Sequence, residues 1–326
     1  MVYRQAEGLK DISIDRARRV SGDRTRYGCK SAAGNGRVFF WEVVYRPSDG
    51  QSRKIDFPGV LMRAFFTVAG FVLQFGAGVG IAAADDWSTV PDGPLHWQLQ
   101  GDIEIGSNIR VIDSDLFETT AERVREWRAA GIFPICYINV GAVEEWNEDY
   151  TQFPKDVIGN PYWGWEGENW LDISRFDQFA HIMEARLDLC REKGFLAIEP
   201  DNIDAYEADT TNKKTGFNLT RSDQVRYIGW LIEQAHARGL AIGQKNAAEL
   251  VPDLIDRMDF ALLESSYRFG FMDAFLSYVQ MNKPVFAIEY IEEGVNPDRF
   301  CPEARKYGFQ GVIAHVELDR KPENCP

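Results

Sequence analysis

The chain has 326 residues, of which 45% are hydrophobic and 26% are charged, and its formal net charge at pH 7 is −14. The charge is unevenly spread: residues 1–61 carry 12 Lys+Arg against 7 Asp+Glu, so residues 62–326 carry a net charge of −19. This acidic body argues against nucleic acid or an anionic membrane as a partner, and the length suits one large domain or two small ones.

The stretch at residues 62–84 has the layout of a secretory signal peptide. Met62 and Arg63 lead into an apolar run that ends in three alanines, and a positive start, an apolar centre and small residues before the cleavage site are the parts of such a peptide. The run is also long enough to span a membrane, so an uncleaved anchor is the alternative. We therefore interpret residues 1–61 as an upstream extension and residues 85–326 as the mature domain. The protein is expected to be secreted, or anchored facing outside if the segment is retained.

From residue 95 onward, short apolar runs alternate with amphipathic ones. The candidate strands are His96–Leu99, Asn108–Ile112, Phe133–Asn139, Phe195–Pro200, Ala241–Asn246, Phe260–Glu264, Val285–Glu289 and Gly311–Val316. The candidate helices between them are Thr119–Ala130, Phe176–Lys193, Arg221–Arg238, Ala247–Met258, Phe271–Met281 and Pro297–Tyr307. This alternation implies parallel pairing, and eight such strands in roughly 240 residues predict an α/β fold, a (β/α)8 TIM barrel that forms a single catalytic domain. A doubly wound open sheet is the runner-up, although no Gly-rich phosphate turn follows the first strand.

Polar side chains stand at the ends of most of these strands, where a TIM barrel carries its chemistry. The strand-end residues are Asp113, Asp115, Tyr137, Asn139, Asp201, Asn202, Asp204, Lys245, Asn246, Glu264, Ser265, Glu289 and Tyr290. Strand ends meet water and are often polar for that reason alone. That reason explains less well why carboxylates follow four or more apolar positions in strands four, six and seven. Two acids at two strand ends, Asp201 and Glu264, are the minimal equipment for cleaving a glycosidic bond.

Aromatic residues are concentrated in the stretch at 141–170, which we predict to be a long irregular loop. Loops of this length in a compact domain are usually functional, and aromatic faces stack on the apolar faces of sugar rings. Of the seven aromatic rings, Trp163 and Trp165 are expected to face substrate.

Export would place the cysteines in an oxidising setting, where disulfides persist. Cys301 begins the last predicted helix and Cys325 is one residue from the C-terminus, so a disulfide between them would pin the tail. Cys136 and Cys190 lie in adjacent predicted elements and are either a second pair or two buried thiols. No Cys or His grouping has metal-ligand spacing, and no metal or cofactor is expected.

Several segments, taken together and in order, resemble glycoside hydrolase family 114, which comprises TIM-barrel endo-α-1,4-polygalactosaminidases. They are Trp97-Gln98-Leu99, Cys136-Tyr137-Ile138-Asn139-Val140-Gly141-Ala142, Trp170-Leu171-Asp172-Ile173, Glu199-Pro200-Asp201-Asn202-Ile203-Asp204, Thr215-Gly216-Phe217, Gly243-Gln244-Lys245-Asn246 and Phe260-Ala261-Leu262-Leu263-Glu264. The family usually has leucine where this chain has Gln244, and relatives often have a cysteine where Ser265-Ser266 stands. Neither change touches a carboxylate.

The resemblance implies that Asp201 and Glu264 are the catalytic pair, with Asp204 as the competing choice for the first role. It also implies that the sugar site is lined by Asp113, Tyr137, Asp172, Lys245 and Asn246. From the residues themselves, a cation at Lys245 would favour an ionised Asp201 as nucleophile, with Asn202 and Asp204 beside it. The apolar run before Glu264 would favour its protonated form as general acid/base, and we expect a retaining mechanism.

The resemblance points to a polysaccharide or oligosaccharide of α-1,4-linked galactosamine as the substrate, and we expect a monomer. Protonated amines of such a polymer suit an acidic groove, and they could pair with Asp113, Asp172, Asp204 or Glu289. One alternative is a glycosidase of the same barrel type that acts on a neutral α-linked sugar. Another is a carbohydrate-binding protein that has lost catalysis. A phosphate-handling barrel would need a Gly-rich turn after strand seven or eight, where this chain is acidic.

Overall fold

The computed structural model describes residues 44–45, 53–54, 89–212 and 214–326. The predicted signal segment at 62–84 lies outside these residues, as does nearly all of 1–61. The strands are β1 Val44–Tyr45, β2 Arg53–Lys54, β3 Leu95–Trp97, β4 Val111–Asp115, β5 Phe133–Asn139, β6 Ala142–Glu144, β7 Ile158–Pro161, β8 Glu168–Leu171, β9 Ala197–Asp201, β10 Ala241–Lys245, β11 Phe260–Glu264, β12 Val285–Tyr290, β13 Gln310–Ala314 and β14 Glu323–Asn324. Strands β1 and β2 pair with each other in antiparallel fashion.

The α-helices alternate with the strands from residue 121 onward. They are α1 Ala121–Ala129, α2 Ala180–Lys193, α3 Ala205–Asn212, α4 Arg221–Ala237, α5 Val251–Leu254, α6 Ser266–Phe269, α7 Leu276–Gln280 and α8 Pro297–Tyr307. Short 3-10 helices lie at Tyr150–Gln152, Lys155–Val157, Ile173–Gln178, Ala248–Leu250, Met272–Phe275 and Ile291–Glu293. Gly194 and Gly308 end α2 and α8 in the left-handed conformation, with φ of 99° and 75°.

The main sheet of the described residues has nine strands in the order β14-β13-β12-β11-β10-β9-β5-β4-β3. All neighbours from β3 to β13 pair in parallel, and only β14 pairs in antiparallel fashion, with β13. The eight predicted strands are thus confirmed as the parallel strands of a TIM barrel, and β5 and β11 have the predicted bounds. The carboxyl ends of these strands lie at one end of the barrel, as parallel pairing requires.

The last strand brings the two edges of the sheet together. The Asn324 side chain accepts a hydrogen bond from the Leu95 backbone N–H at 2.9 Å and donates one to the Leu95 carbonyl at 2.9 Å. At the other end of the seam, the backbone N–H groups of Leu99 and Gln100 donate to the Leu318 carbonyl. These bonds replace part of the ladder that a complete β13–β3 pairing would provide, so the barrel is nearly closed.

Side chains of the barrel strands alternate between two separate cores. The inner core inside the barrel includes Leu95, Val111, Ile135, Phe260 and Ile288. The outer core between sheet and helices holds the intervening positions, such as Ile112, Cys136 and Ala261. Because a strand repeats every two residues, this alternation fixes which strand-end side chains point inward. The inward positions above the apolar layer are Asp113, Tyr137, Glu199, Asp201, Lys245, Glu264 and Tyr290.

The stretch at 141–170 is ordered differently from the prediction of one long irregular loop. Strands β6, β8 and β7 form a three-stranded antiparallel sheet in that order, with a register shift between Ile158 and Pro161. Its strands have only three or four residues and are separated by turns, which leaves little periodic signal in the sequence. The sheet is tied to the barrel by the Leu171 N–H, which donates to the Gly141 carbonyl at 2.9 Å.

The four cysteines of residues 85–326 form two disulfides. Cys301 in α8 is bonded to Cys325 next to the C-terminus, as predicted. Cys136 on the outer face of β5 is bonded to Cys190 in α2, which decides an alternative that the sequence left open. None of the described helices is long and apolar enough to cross a membrane.

Candidate active site

A buried lysine stands at the centre of the strand-end cluster. Lys245, the last residue of β10, places its Nζ 2.7 Å from Oε1 of Glu199, 2.9 Å from Oε2 of Glu264 and 3.1 Å from Oδ1 of Asp201. The ammonium also lies 5.1 Å from the centre of the Trp97 ring, which adds a cation–π attraction. The pKa of Lys245 is raised well above its usual value, because the three carboxylates outweigh the opposing effect of burial. Lys245 therefore remains a cation.

Asp201 is held by donors from three directions. Its Oδ1 accepts from Lys245 and from the Asn202 backbone N–H at 2.9 Å, and its Oδ2 accepts from the Tyr137 hydroxyl at 2.9 Å. Burial raises the pKa of Asp201, but the Lys245 cation and these hydrogen bonds outweigh it, so the pKa is lowered overall. The expectation of an ionised Asp201 with Lys245 beside it agrees with this geometry.

Glu264 ends β11, directly across Lys245 from Asp201. Its Oε1 accepts from the Tyr290 hydroxyl, and the Asn246 side chain accepts from its backbone N–H at 2.8 Å. Burial raises the pKa of Glu264, but the Lys245 ammonium opposes burial, and the net shift of the pKa is downward. The lowered pKa does not support the expectation that the surroundings of Glu264 favour its protonated form. The apolar run before the glutamate gave no hint that one lysine would serve both acids.

Gln244 stands where the family usually has leucine, and the structure gives it a purpose. Its Nε2 donates to the carbonyls of Asn246 and Ala247 at 3.0 Å, and its Oε1 accepts from the Tyr278 hydroxyl at 2.7 Å. Asn246 and Ala247 both have positive φ, at 44° and 52°. Gln244 thus supports the strained turn that places the Asn246 side chain against β11.

A second polar network holds Asn202, the residue after Asp201. Oε1 of Glu168 accepts from the Nδ2 groups of Asn139 at 2.8 Å and Asn202 at 2.9 Å. Asn202 has φ of 61°, which asparagine tolerates better than most residues. Burial, and then Glu144 opposite it on β6, raise the pKa of Glu168 well above its usual value. The raised pKa favours the protonated form of Glu168, and its hydrogen bonds fasten the short antiparallel sheet to the end of β9.

We expect Glu168→Gln to be tolerated and Glu168→Ala to cost about 1–3 kcal/mol of stability, because only alanine removes the acceptor shared by Asn139 and Asn202. A carboxyl whose folded pKa is raised loses stability as the pH rises from its unfolded pKa towards its folded pKa. Urea unfolding at several pH values should therefore favour the glutamine variant increasingly as the pH rises. Parallel pH curves for wild type and Glu168→Gln would show that Glu168 is ionised in the folded protein.

Gly141 is a close-contact position between the inserted sheet and β9. A Cβ at this residue would lie 1.8 Å from the carbonyl oxygen of Asn202 and 2.7 Å from its carbonyl carbon. We expect Gly141→Ala to displace the backbone beside Asp201, to cost about 1–3 kcal/mol or more and to lower activity. Gly229→Ala is the matched control, since its Cβ would meet only the end of the Arg257 side chain at 3.1 Å. Thermal unfolding and activity of the two variants would check this, and equal behaviour would contradict it.

Three predicted sugar-site residues are buried and contact other parts of the protein. Asp113 is fully buried inside the barrel on β4. Asp172 caps the 3-10 helix at Ile173–Gln178, accepting from the Ser174 N–H at 3.2 Å and from Arg175 Nε at 2.7 Å. Glu289 points outward on β12 and accepts from the backbone N–H groups of Tyr267 and Arg268, at 2.7 and 3.3 Å, in α6. The contact of these three residues with substrate stays a prediction.

Asp204 follows Asp201 by three residues and is buried. Burial raises the pKa of Tyr162 well above its usual value, and the charges of Asp204 and Asp201 raise it further. Tyr162 is itself buried and stacks on Trp170 with ring centres 4.5 Å apart. Tyr162 is not among the rings that the sequence predicts to face substrate, although it directly precedes Trp163.

The two tryptophans that were expected to face substrate differ in exposure. Trp163, in the turn between β7 and β8, is 55% exposed. Trp165 in the same turn is partly buried and packs against the outer core. Trp146 is 57% exposed and lies against Gly167, at the other side of this turn. Their contact with substrate stays a prediction.

Comparison with known proteins places this site in a family. The family model described as glycoside-hydrolase family GH114 matches residues 79–326. An uncharacterised protein of Deinococcus radiodurans is 25% identical over 221 residues, which cover 61% of this chain and 69% of that protein.

Two solved structures resemble this one. The crystal structure of Aspergillus fumigatus Ega3 in complex with galactosamine has a TM-score of 0.68 and 29% sequence identity, covering 76% of this chain and all of Ega3. The glycoside hydrolase domain of PelA from Pseudomonas aeruginosa has a TM-score of 0.56 and 13% identity, covering 71% of this chain and 97% of that domain; at that identity the likeness concerns the fold. The TIM barrel and the family match together show that this chain is a glycoside hydrolase and belongs to family GH114.

Proposed function

We propose that the enzyme cleaves α-1,4-linked galactosamine-containing polysaccharide by a retaining mechanism, with Asp201 as nucleophile and Glu264 as general acid/base. The observation that carries the proposal is the shared ammonium. Because Lys245 Nζ lies 3.1 Å from Asp201 Oδ1 and 2.9 Å from Glu264 Oε2, these two oxygens are at most about 6 Å apart. That limit suits a retaining pair, about 5–5.5 Å apart, better than the 6.5–9.5 Å of inverting pairs.

The shared ammonium also suits the movement of charge in such a mechanism. In the first step, an Asp201 oxygen attacks the anomeric carbon, the glycosidic bond breaks and the Glu264 proton passes to the leaving oxygen. The negative charge thus leaves Asp201 and appears on Glu264. Both acids contact the same Nζ, so Lys245 stabilises the charge before and after the step without moving. Water then cleaves the glycosyl ester, with Glu264 as base.

The galactosamine assignment rests on similarity and charge. The crystal structure of Ega3 contains galactosamine, and the match to this chain covers the whole length of Ega3. The acidic body of this chain would attract a cationic polymer, and Asp204, three residues after Asp201, is the candidate partner for a substrate amine. Trp163 is the candidate platform for a further sugar ring.

We further propose that the protein is exported. The two disulfides suit an oxidising compartment, and residues 62–84 have the sequence of a signal peptide or anchor. Mass spectrometry of protein from the culture medium should find a mature N-terminus near residue 85. A peptide from residues 1–61 in the mature product would contradict this.

The substrate proposal is tested by incubating the enzyme with α-1,4-linked galactosamine oligosaccharides and, separately, with neutral α-linked galactose oligosaccharides, followed by mass analysis of the products. Shorter galactosamine fragments are expected. Cleavage of the neutral oligosaccharides alone would favour a glycosidase for a neutral sugar. Tight binding without products would favour a protein that has lost catalysis.

The low pKa of Glu264 predicts the pH dependence. The general acid must be protonated, so kcat/KM for the polymer should fall as the pH rises through the pKa of Glu264, which lies below its ordinary value. We therefore expect kcat/KM for the polymer to fall with rising pH already in the acid range; this fall is the basic limb of the pH profile. An aryl α-galactosaminide with a very good leaving group needs no acid and should lack that limb. The same basic limb for both substrates would contradict the assignment.

A further inference from the structure

Glu199 contacts the central lysine but is neither of the two proposed catalytic acids. It lies on β9, two residues before Asp201, and has no exposed surface. Its Oε1 is 2.7 Å from Lys245 Nζ, the shortest of the three carboxylate contacts. Since Glu199 lies deeper in the barrel than Asp201 on the same strand, it holds the ammonium from below. Sequence reasoning passed over it because it interrupts an apolar run, although its spacing from Asp201 gives it the same inward direction.

Glu199 lies beside another buried acid, Asp113. Among the described residues, no donor reaches Oε2 of Glu199 or either carboxyl oxygen of Asp113. Burial raises the pKa of Asp113 well above its usual value, and the adjacent Glu199 raises it further by its charge and by a hydrogen bond. Two ionised carboxylates facing each other would repel, whereas one proton between them satisfies both. Glu199 has the Lys245 cation on its other oxygen, so the proton belongs on Asp113.

We propose that Asp113 is protonated and donates a hydrogen bond to Glu199, and that this buried pair is a positioning unit that keeps Lys245 between Asp201 and Glu264. The groups that face Lys245 or its carboxylates are then Asp113 from β4, Tyr137 from β5, Glu199 and Asp201 from β9, Glu264 from β11 and Tyr290 from β12. With Asp113 neutral, one fixed negative charge anchors the lysine from below. The catalytic charge is free to pass from Asp201 to Glu264 above it. The kinetic part of this inference rests on the proposed function.

The test uses the full chain with three substitutions, and its first readout is the pH profile of kcat/KM on an α-1,4-linked galactosamine oligosaccharide. Glu199→Gln removes the anchoring charge, so the Lys245 field acts more strongly on Glu264, and the basic limb should move to lower pH by about one unit. Asp113→Ala leaves Glu199 charged but without its donor, so Glu199 should hold the ammonium more strongly and the limb should move to higher pH. Asp113→Asn retains a donor and should restore the wild-type limb position. The proposal would be overturned if the basic limb of the pH profile moved equally in Asp113→Asn and Asp113→Ala. It would also be overturned if the limb moved in none of the three variants.

The second readout needs no substrate and separates this inference from the proposed function. Infrared difference spectra of wild type and Asp113→Asn at neutral pH should show the loss of one protonated-carboxyl C=O band. Absence of that difference in two folded proteins would show that Asp113 is ionised and would refute the pair. If the wild-type enzyme leaves galactosamine oligosaccharides intact, the proposed function fails, while the infrared result still decides the protonation of Asp113.

Discussion

Glu264→Gln is expected to slow hydrolysis of galactosamine oligosaccharides by about 10³-fold, within the range for loss of a general acid, or about 4 kcal/mol in the activation barrier. The amide keeps the shape of the side chain that contacts Lys245 and Tyr290, but it has no proton to give to the leaving oxygen. The first step should remain fast on an aryl α-galactosaminide with a very good leaving group, because that group departs without protonation. The measurement is kcat/KM for both substrates.

The matched control is Glu317→Gln, an exposed glutamate shortly after β13. It should leave both activities near wild type. Near wild-type oligosaccharide hydrolysis by Glu264→Gln would show that another residue supplies the proton. Asp201→Asn should, by contrast, remove activity on both substrates, since the nucleophile is needed whatever the leaving group.

Lys245→Met is expected to destabilise the fold and to abolish activity together. Removal of one partner from a buried ion pair costs about 3–5 kcal/mol, and here Glu199, Asp201 and Glu264 would all lose their cation. In wild type, the lowered pKa values of Asp201 and Glu264 give stability that is present above their unfolded pKa values and is lost as the pH falls. Without the lysine, burial raises the pKa values instead, so stability should fall as the pH rises.

Urea unfolding of Lys245→Met at pH 5 and pH 8 measures this reversal, with Lys155→Met, at an exposed lysine, as the control. The control should keep the wild-type pH dependence. A Lys245→Met variant that is as stable at pH 8 as at pH 5, relative to the control, would contradict the view that Lys245 compensates these acids.

The parallel strands could be predicted from sequence because both of their faces are covered, which leaves continuous apolar runs with polar residues only at the ends. The strand-end rule found Asp201, Lys245 and Glu264, which the structure does bring together. The same rule takes no account of alternation along β12, where Ile288 and Tyr290 point into the barrel and Glu289 between them points out.

Other features depend on contacts that no local pattern encodes. The pairing of Cys136 with Cys190 joins a strand to a helix 54 residues later, and spacing alone does not determine connectivity. The raised pKa of Glu168 follows from its burial and from its position opposite Glu144 in a short antiparallel sheet that the sequence hardly signals. The downward pKa shift of Glu264 follows from Lys245 on the neighbouring strand. Each of these requires the tertiary structure.

The central claim is that Asp201 and Glu264 act as nucleophile and acid/base at one opening of the barrel. Its most direct test is to trap the glycosyl-enzyme with a 5-fluoro-α-galactosaminyl fluoride and to locate the label by mass spectrometry of peptides. The account predicts a single galactosaminyl adduct on Asp201. An adduct on Asp204 or Glu264 would contradict it.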